Sequence, residues 1–91
     1  MRRYGFRWNN WNIGHIAAHG VDPRDAEFVV STARRPYPRK IGDGKYLVIG
    51  QTADGIYCQA IYVFDPDAEI FIIHARPLTH AEKRRYRRSN K

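Results

Sequence analysis

Sulfur, acidic residues and long apolar runs are all scarce in this chain. Cys58 is the single cysteine among 91 residues, so no internal disulfide is available. It lies inside an apolar run rather than beside a histidine at motif spacing, and reads as a small core residue in a reducing compartment. No apolar stretch approaches the roughly 18 residues of a membrane span. The N-terminus Met1-Arg2-Arg3-Tyr4-Gly5-Phe6-Arg7 returns to charge before the apolar region of a signal peptide can form. The expectation is a cytoplasmic protein with no membrane partner. The length suits one domain with one modest core, and no repeat or low-complexity segment interrupts it.

What the chain does have is positive charge and aromatic area. Sixteen Lys and Arg stand against nine Asp and Glu, with two Trp, six Tyr and four Phe. The charge is unevenly divided: +5 over residues 1–40, −4 over 41–75 and +6 over 76–91. If the basic ends meet in the fold they make a cationic surface suited to a phosphate backbone. The plainer alternative is a solvated basic tail.

Arg3 to Trp8 alternates aromatics with basic residues and reads as a short edge strand. Asn9 or Asn10 then caps a helix through Trp11 and Ile16 to Gly20, with His19 at the end where the dipole favours an imidazolium. Asp22-Pro23-Arg24-Asp25 is a dense helix start, and a second helix runs to about Ser31 with Phe28 or Val29, and Val30, facing the core. Ser31 to Gly44, rich in proline, glycine and cations, reads as a mobile loop. Strands follow at Lys45–Gln51, Ile56–Phe64 and Glu69–Arg76, joined by two hairpin turns. The middle one, apolar almost throughout, is expected to be central and covered on both faces. Thr79-His80-Ala81-Glu82 fits a capping box opening a helix to about Ser89. The order β-α-α-β-β-β-α gives an α+β fold with helices packed on an antiparallel sheet.

The last segment holds the densest chemistry. Ile72-Ile73-His74-Ala75-Arg76-Pro77 delivers a histidine and an arginine, and the helix after it carries Tyr86 among four arginines. Metal-free RNA cleavage uses the neighbouring 2′-hydroxyl as nucleophile, and needs a base, a cation at the crowded phosphoryl oxygens and an acid for the leaving 5′-oxygen. Arg76 suits the cation, since a guanidinium stays charged and presents paired donors to phosphate. Its structural alternative is an ion pair with an acid such as Glu82. Tyr86, between Arg85 and Arg87, could move a proton from a phenol of lowered pKa, stack on a base, or simply hold its helix with Glu82 one turn away. Glu82 is explained by the capping box alone but could orient Arg76. His74 is placed on one strand face with Arg76, Ile72 and Ile70, from which it could serve acid–base work or only hydrogen-bond. His80 reads as exposed.

Trp8, Asn12, His15 and His19 fall on one helical stripe. A zinc pair or an acid–base pair competes there with a hydrogen-bonded seam. Zinc lacks further ligands at recognisable spacing, so neither metal nor cofactor is expected. Arg34, Arg35, Arg39 and Lys40 around Tyr37 look like phosphate positioning with one stacking ring.

Several of these motifs, taken in order, resemble BrnT-type ribonuclease toxins. The resemblance rests on Trp8, His19-Gly20-Val21, the helix with Ala26 and Glu27, Lys45-Tyr46-Leu47-Val48-Ile49-Gly50, and Ile73-x-Ala75-Arg76 followed by Glu82 and Tyr86. It covers nearly the whole chain. It implies a fold like that of RelE toxins, metal-independent cleavage of RNA, and neutralisation by a small DNA-binding antitoxin. The run Trp8-Asn9-Asn10-Trp11-Asn12-Ile13-Gly14-His15-Ile16 departs from the common family form, which has an acid after the tryptophan and a lysine a turn later, so roles of those two residues do not transfer. On this reading Arg76, Tyr86, His74 and Glu82 are the catalytic candidates. Lys45, Arg34, Arg35, Arg39, Lys40, Arg85 and Arg88 would bind RNA. The rival is a non-enzymatic module that binds RNA or a protein partner through the same surface. RNA affinity carried by these cations should fall steeply between roughly 50 and 200 mM salt, as fluorescence anisotropy with labelled single-stranded RNA would measure, whereas solubilising charges would leave it nearly flat.

Overall fold

Helix α1, Asn10–Ala17, exists because two asparagines close its start. Asn9 Oδ1 accepts from the Asn12 N–H at 3.1 Å while Asn12 Oδ1 accepts from the Asn9 N–H at 2.8 Å, a reciprocal cap that satisfies two otherwise orphaned donors. Asn12 is fully buried, and its Nδ2 donates to the Arg7 carbonyl at 3.1 Å, so one side chain joins the helix to the segment before it. The helix stops short of the expected Gly20. Gly20 instead takes the left-handed turn (φ 77°) that lets the Val21 N–H reach back to the Ile16 carbonyl. Helix α2, Pro23–Ser31, starts as the sequence predicts, with Asp22 accepting from the Asp25 N–H at 3.0 Å. Ala26, Val29 and Val30 face the core and Phe28 is largely exposed.

This computed structural model describes residues 5–89. Four strands follow α2: β1 Arg39–Gly42, β2 Lys45–Gln51, β3 Tyr57–Phe64 and β4 Ile70–Pro77, forming one antiparallel sheet in the order β1-β2-β3-β4. Helix α3, His80–Ser89, closes the chain. The α+β class is as expected, but the element order is α-α-β-β-β-β-α. The predicted N-terminal strand is reduced to a single parallel bridge, Phe6 to Ile70, and Arg3 and Tyr4 lie outside the described residues. Asp65 holds that bridge in place. Its Oδ2 accepts from Arg7 Nε at 2.8 Å, while its Oδ1 accepts the Asp67 and Glu69 N–H groups and shapes the β3–β4 turn.

The stretch read as a loop contains β1. Its signal was masked because the strand is short and exposed at all four positions, with no apolar alternation, and it pairs only through the turn Gly42-Asp43-Gly44, where all three residues have positive φ.

One core holds the molecule together. Val48, Cys58, Ala60, Tyr62, Ile70, Ile72 and Ala75 of the sheet meet Ile16, Val21, Ala26, Val29 and Val30 of the helical side. Burial pushes the Cys58 thiol up to about 11, so it is inert filling, as its place in an apolar run suggested. Strand β3 is internal to the sheet but is not covered on both faces. Cys58, Ala60 and Tyr62 are buried against the helices, whereas Tyr57, Gln59, Ile61 and Val63 are only half-buried on the other side. The small chain has apolar surface for one core layer, so the second sheet face stays open.

Truncating Asn12 to Ala should leave the Asn9 N–H and the Arg7 carbonyl without their partner and cost about 1–3 kcal/mol in urea unfolding. Ile13→Ala, at the exposed flank of the same helix, should fall within about 0.5 kcal/mol of the parent.

Candidate functional site

Strand parity decides which residues share the open face, and a β-bulge in β4 resets that parity. Ile61 pairs with His74 and Tyr62 with Ile72, so Ile73 is an extra residue on β4. Before the bulge the even positions Ile70 and Ile72 point into the core. After it Ala75 points inward instead, and His74 and Arg76 turn to the open face. The expectation that His74 and Arg76 share a face is met. Their expected company with Ile70 and Ile72 is not, because the bulge separates the two pairs.

Cross-strand register then lines up two rows on that face: Arg39, Leu47, Ile61 and His74 in one, and Ile49, Gln59 and Arg76 in the next. Helix α1 walls this face along the β4 edge. Its Trp11 stacks on His15 (centroids 4.3 Å) and lies 6.0 Å from Phe71, and His19 meets His74 edge-on at 5.6 Å. The stripe read as Trp8, Asn12, His15 and His19 therefore divides. Trp8 and Asn12 are structural, Trp8 Nε1 donating to Glu27 Oε2 at 2.7 Å, while Trp11, His15 and His19 form the exposed flank.

Arg76 and Glu82 make a bidentate pair, Nη1 to Oε1 at 2.8 Å and Nη2 to Oε2 at 2.7 Å. Glu82 also accepts from the Thr79 N–H at 2.8 Å, and Thr79 Oγ1 accepts from the Glu82 N–H at 3.2 Å. The capping box and the ion pair are thus the same carboxylate. These donors hold the Glu82 carboxyl down at about 2, the Arg76 hydrogen bond first among them, and the pair raises the guanidinium above its ordinary value. Arg76 Nη1 also donates to the Pro77 carbonyl at 3.1 Å. Glu82 thereby takes the end of the guanidinium. The side edge, Nε–H with the second Nη2–H, has no acceptor among the described residues, and it is the fork geometry that fits a phosphate.

His74 is half-buried, with the Gln59 side-chain amide 3.4 Å from its Nε2. Burial, followed by the neighbouring His19, Arg76 and His15, lowers its pKa, so the ring is a neutral imidazole near pH 7. A neutral ring can accept a proton, the state that a general base needs.

Tyr86 differs from its expectation. Burial, and then Tyr37 and Tyr57, raise its pKa, with Arg34 opposing. Arg85 and Arg87 flank it in sequence but project about 100° to either side around the helix. The Tyr86 ring packs against Tyr57 at 5.7 Å and Tyr37 at 6.2 Å. A cleft of about 410 Å³ opens beside them, lined by Tyr37, Arg39, Gln59, Glu82, Arg85 and Tyr86 among others, and the Arg39 guanidinium lies 5.4 Å over the Tyr37 ring. Tyr86 is therefore a stacking surface rather than an activated phenolate.

The remaining cations scatter. Arg34 borders a second cleft of about 520 Å³ with Phe28, Gln51 and Tyr86. Arg35 and Arg88 are exposed. Lys40 pairs with Tyr46 and so points to the helix side of β1, opposite to Arg39. Lys45 shares the open face but stands about 13 Å along β2 from Ile49. Sequence reasoning missed Gln59 and Tyr57, although a lone glutamine inside an apolar central strand was a signal. Among the described residues no group of three or more His, Cys, Asp or Glu is placed to hold a metal ion, and no helix is long and apolar enough to cross a membrane. No family model, curated protein or solved structure matches this chain.

Because the folded Glu82 carboxyl sits near 2 against about 4.5 when unpaired, the stability it contributes is complete above about pH 4.5 and is lost as pH falls towards 2. Thermal melts from about pH 6 to about pH 2 should show this loss, and Glu82→Gln should flatten it. Asp65, whose carboxyl is also lowered, first by the Glu69 N–H, adds to the same slope, and Asp25, raised first by burial, opposes it.

Proposed function

We propose that this protein is a metal-independent endoribonuclease, the toxin of a BrnT-like toxin–antitoxin pair with a RelE-like fold, acting on RNA in the cytoplasm and neutralised by a small DNA-binding antitoxin. The observation that carries the nuclease reading is the joint placement of Arg76 and His74 on one open sheet face beside an aromatic cleft. The toxin role and the antitoxin partner rest on the resemblance of the quoted motifs.

In this reading the scissile phosphate lies along the side edge of Arg76, whose orientation is set by Glu82. Charge that builds on the phosphoryl oxygens as the 2′-oxygen attacks is met by a guanidinium that needs no rearrangement. His74, held neutral, takes the 2′-hydroxyl proton. The nucleobase on one side of the cleaved bond stacks among Tyr37, Tyr57 and Tyr86, where the cleft falls within the range of small-molecule sites, about 300–1,000 Å³. Gln59, between the cleft and His74, can hydrogen-bond a base edge or sugar. Arg39 and Arg85 meet the flanking phosphates, and Arg34, Arg35, Arg88 and Lys45 extend the field that draws RNA in. Lys40 contributes only at a distance.

A binding module without catalysis has one observation in its favour, namely that Glu82 already occupies the end of Arg76. The two readings part in one experiment with labelled RNA in EDTA. The nuclease reading expects cleavage that Arg76→Ala reduces by about 100-fold or more, with Tyr86→Phe near the parent rate because stacking survives and Tyr86→Ala much weaker in RNA binding. Binding without cleavage would leave the module.

A further inference from the structure

The proposed reaction needs a group to protonate the leaving 5′-oxygen, and neither Arg76 nor Tyr86 supplies one. The guanidinium does not give up its proton, and the Tyr86 ring packs against Tyr57 at 5.7 Å and Tyr37 at 6.2 Å, where the proposed reading gives it to a nucleobase. Another imidazole stands beside His74. His19 follows α1 in the turn stabilised by the Val21 N–H to Ile16 carbonyl bond, and its ring lies edge-on to His74 with centroids 5.6 Å apart.

We propose that His19 is the general acid of the cleavage, paired with His74 as general base across a single phosphodiester. This rests on the endoribonuclease reading and adds to it a residue on a different element. Two rings at this separation can serve two oxygens bonded to one phosphorus, since each needs only hydrogen-bond reach of about 2.6–3.2 Å. Their environments divide the roles. His74 is half-buried and faces the charges of His19 and His15 from α1, Arg76 from its own strand and the neutral Gln59 amide from β3, so it is the ring that stays unprotonated. His19 is exposed to solvent just after the end of α1, and it is not hydrogen-bonded to another described side chain.

The step balances. The His74 lone pair takes the proton of the 2′-hydroxyl, and the 2′-oxygen bonds to phosphorus as the bond from phosphorus to the 5′-oxygen breaks. The electron pair of that bond stays on the 5′-oxygen, which takes the proton of the His19 imidazolium. The products are a 2′,3′-cyclic phosphate and a 5′-hydroxyl. His74 is left protonated and His19 neutral, and exchange with water resets both. His15, stacked on Trp11 at 4.3 Å, is one turn further from the reacting end and takes no proton.

The test compares labelled RNA with uridine 3′-(4-nitrophenyl phosphate), whose leaving group departs without a proton, both in EDTA. His19→Gln and His19→Ala should slow RNA cleavage by about 100-fold or more and leave the nitrophenyl ester within a few-fold of the parent. His74→Gln should slow both substrates. Equal losses on both substrates for the His19 variants would assign His19 a structural role and overturn the pair. Undiminished RNA cleavage by the His19 variants, with Arg76→Ala still inactive, would overturn the pair while leaving the nuclease reading standing. A folded parent protein inert on both substrates would overturn the nuclease reading and the pair with it. Thermal melts of each variant keep a loss of fold apart from a loss of chemistry, and the exposed position of His19 makes two folded variants the expected result.

Discussion

A β-strand sends alternate side chains to opposite faces, so an uninterrupted β4 would bury His74 and Arg76 in line with Ile70 and Ile72. The bulge at Ile73 prevents this. A single unpaired residue converts a strand that begins as core wall into one whose last polar side chains lie on the open face. The apolar residues can then fill the helical side while the imidazole and guanidinium stay in reach of solvent. The cost of the alternative is plain: an arginine on the buried face would have to leave water without a partner placed to receive it. Everything proposed for the open face presupposes this shift in parity.

The Arg76–Glu82 pair transmits that placement to α3. The helix is rich in arginine and buries little apolar surface, with only Glu82, Lys83 and Tyr86 even half-buried among its residues up to Arg88. Hydrophobic packing alone would hold it weakly. A surface ion pair is ordinarily worth little, but here a bidentate geometry and a capping box use the same carboxylate, so strand end, turn and helix start share one set of hydrogen bonds. With the start of α3 fixed, Tyr86 arrives one turn after Glu82 against Tyr37 and Tyr57. The contact that occupies the end of Arg76 also fixes its orientation.

The elements legible in the sequence are those whose signals are local. Asp22 and Pro23 start α2, Thr79 and Glu82 start α3, and Gly20 ends the turn after α1, because caps and left-handed turns are chemistry within a few residues. What escaped was decided at a distance. The bulge is a matter of register against β3 and leaves no mark in Ile72-Ile73-His74. Strand β1 exists only through pairing with β2 and shows no alternation of its own. The phenol of Tyr86 looked activated from its neighbours in sequence, but burial and then the phenols of Tyr37 and Tyr57 outweigh the opposing Arg34 in space. The pairing of His19 with His74 joins residues 55 positions apart, and no spacing rule reaches that far.

The same distinction between sequence and space reshapes the electrostatics. A net charge of +7 suggests a broad basic surface, yet adjacent residues of one strand oppose each other across the sheet. Arg39 faces the cleft and its neighbour Lys40 faces away, so counting cations along a segment overstates what a ligand can touch. Long-range attraction depends on the sum and is shared by all of them, within a screening length of about 8 Å at physiological salt. Short-range recognition depends on the few that share a face with the rings and imidazoles. On the proposed reading the basic ends of the chain would do two separable things: most of their charges would bring a polyanion near, and Arg39, Arg76 and Arg85 would decide where its phosphates come to rest.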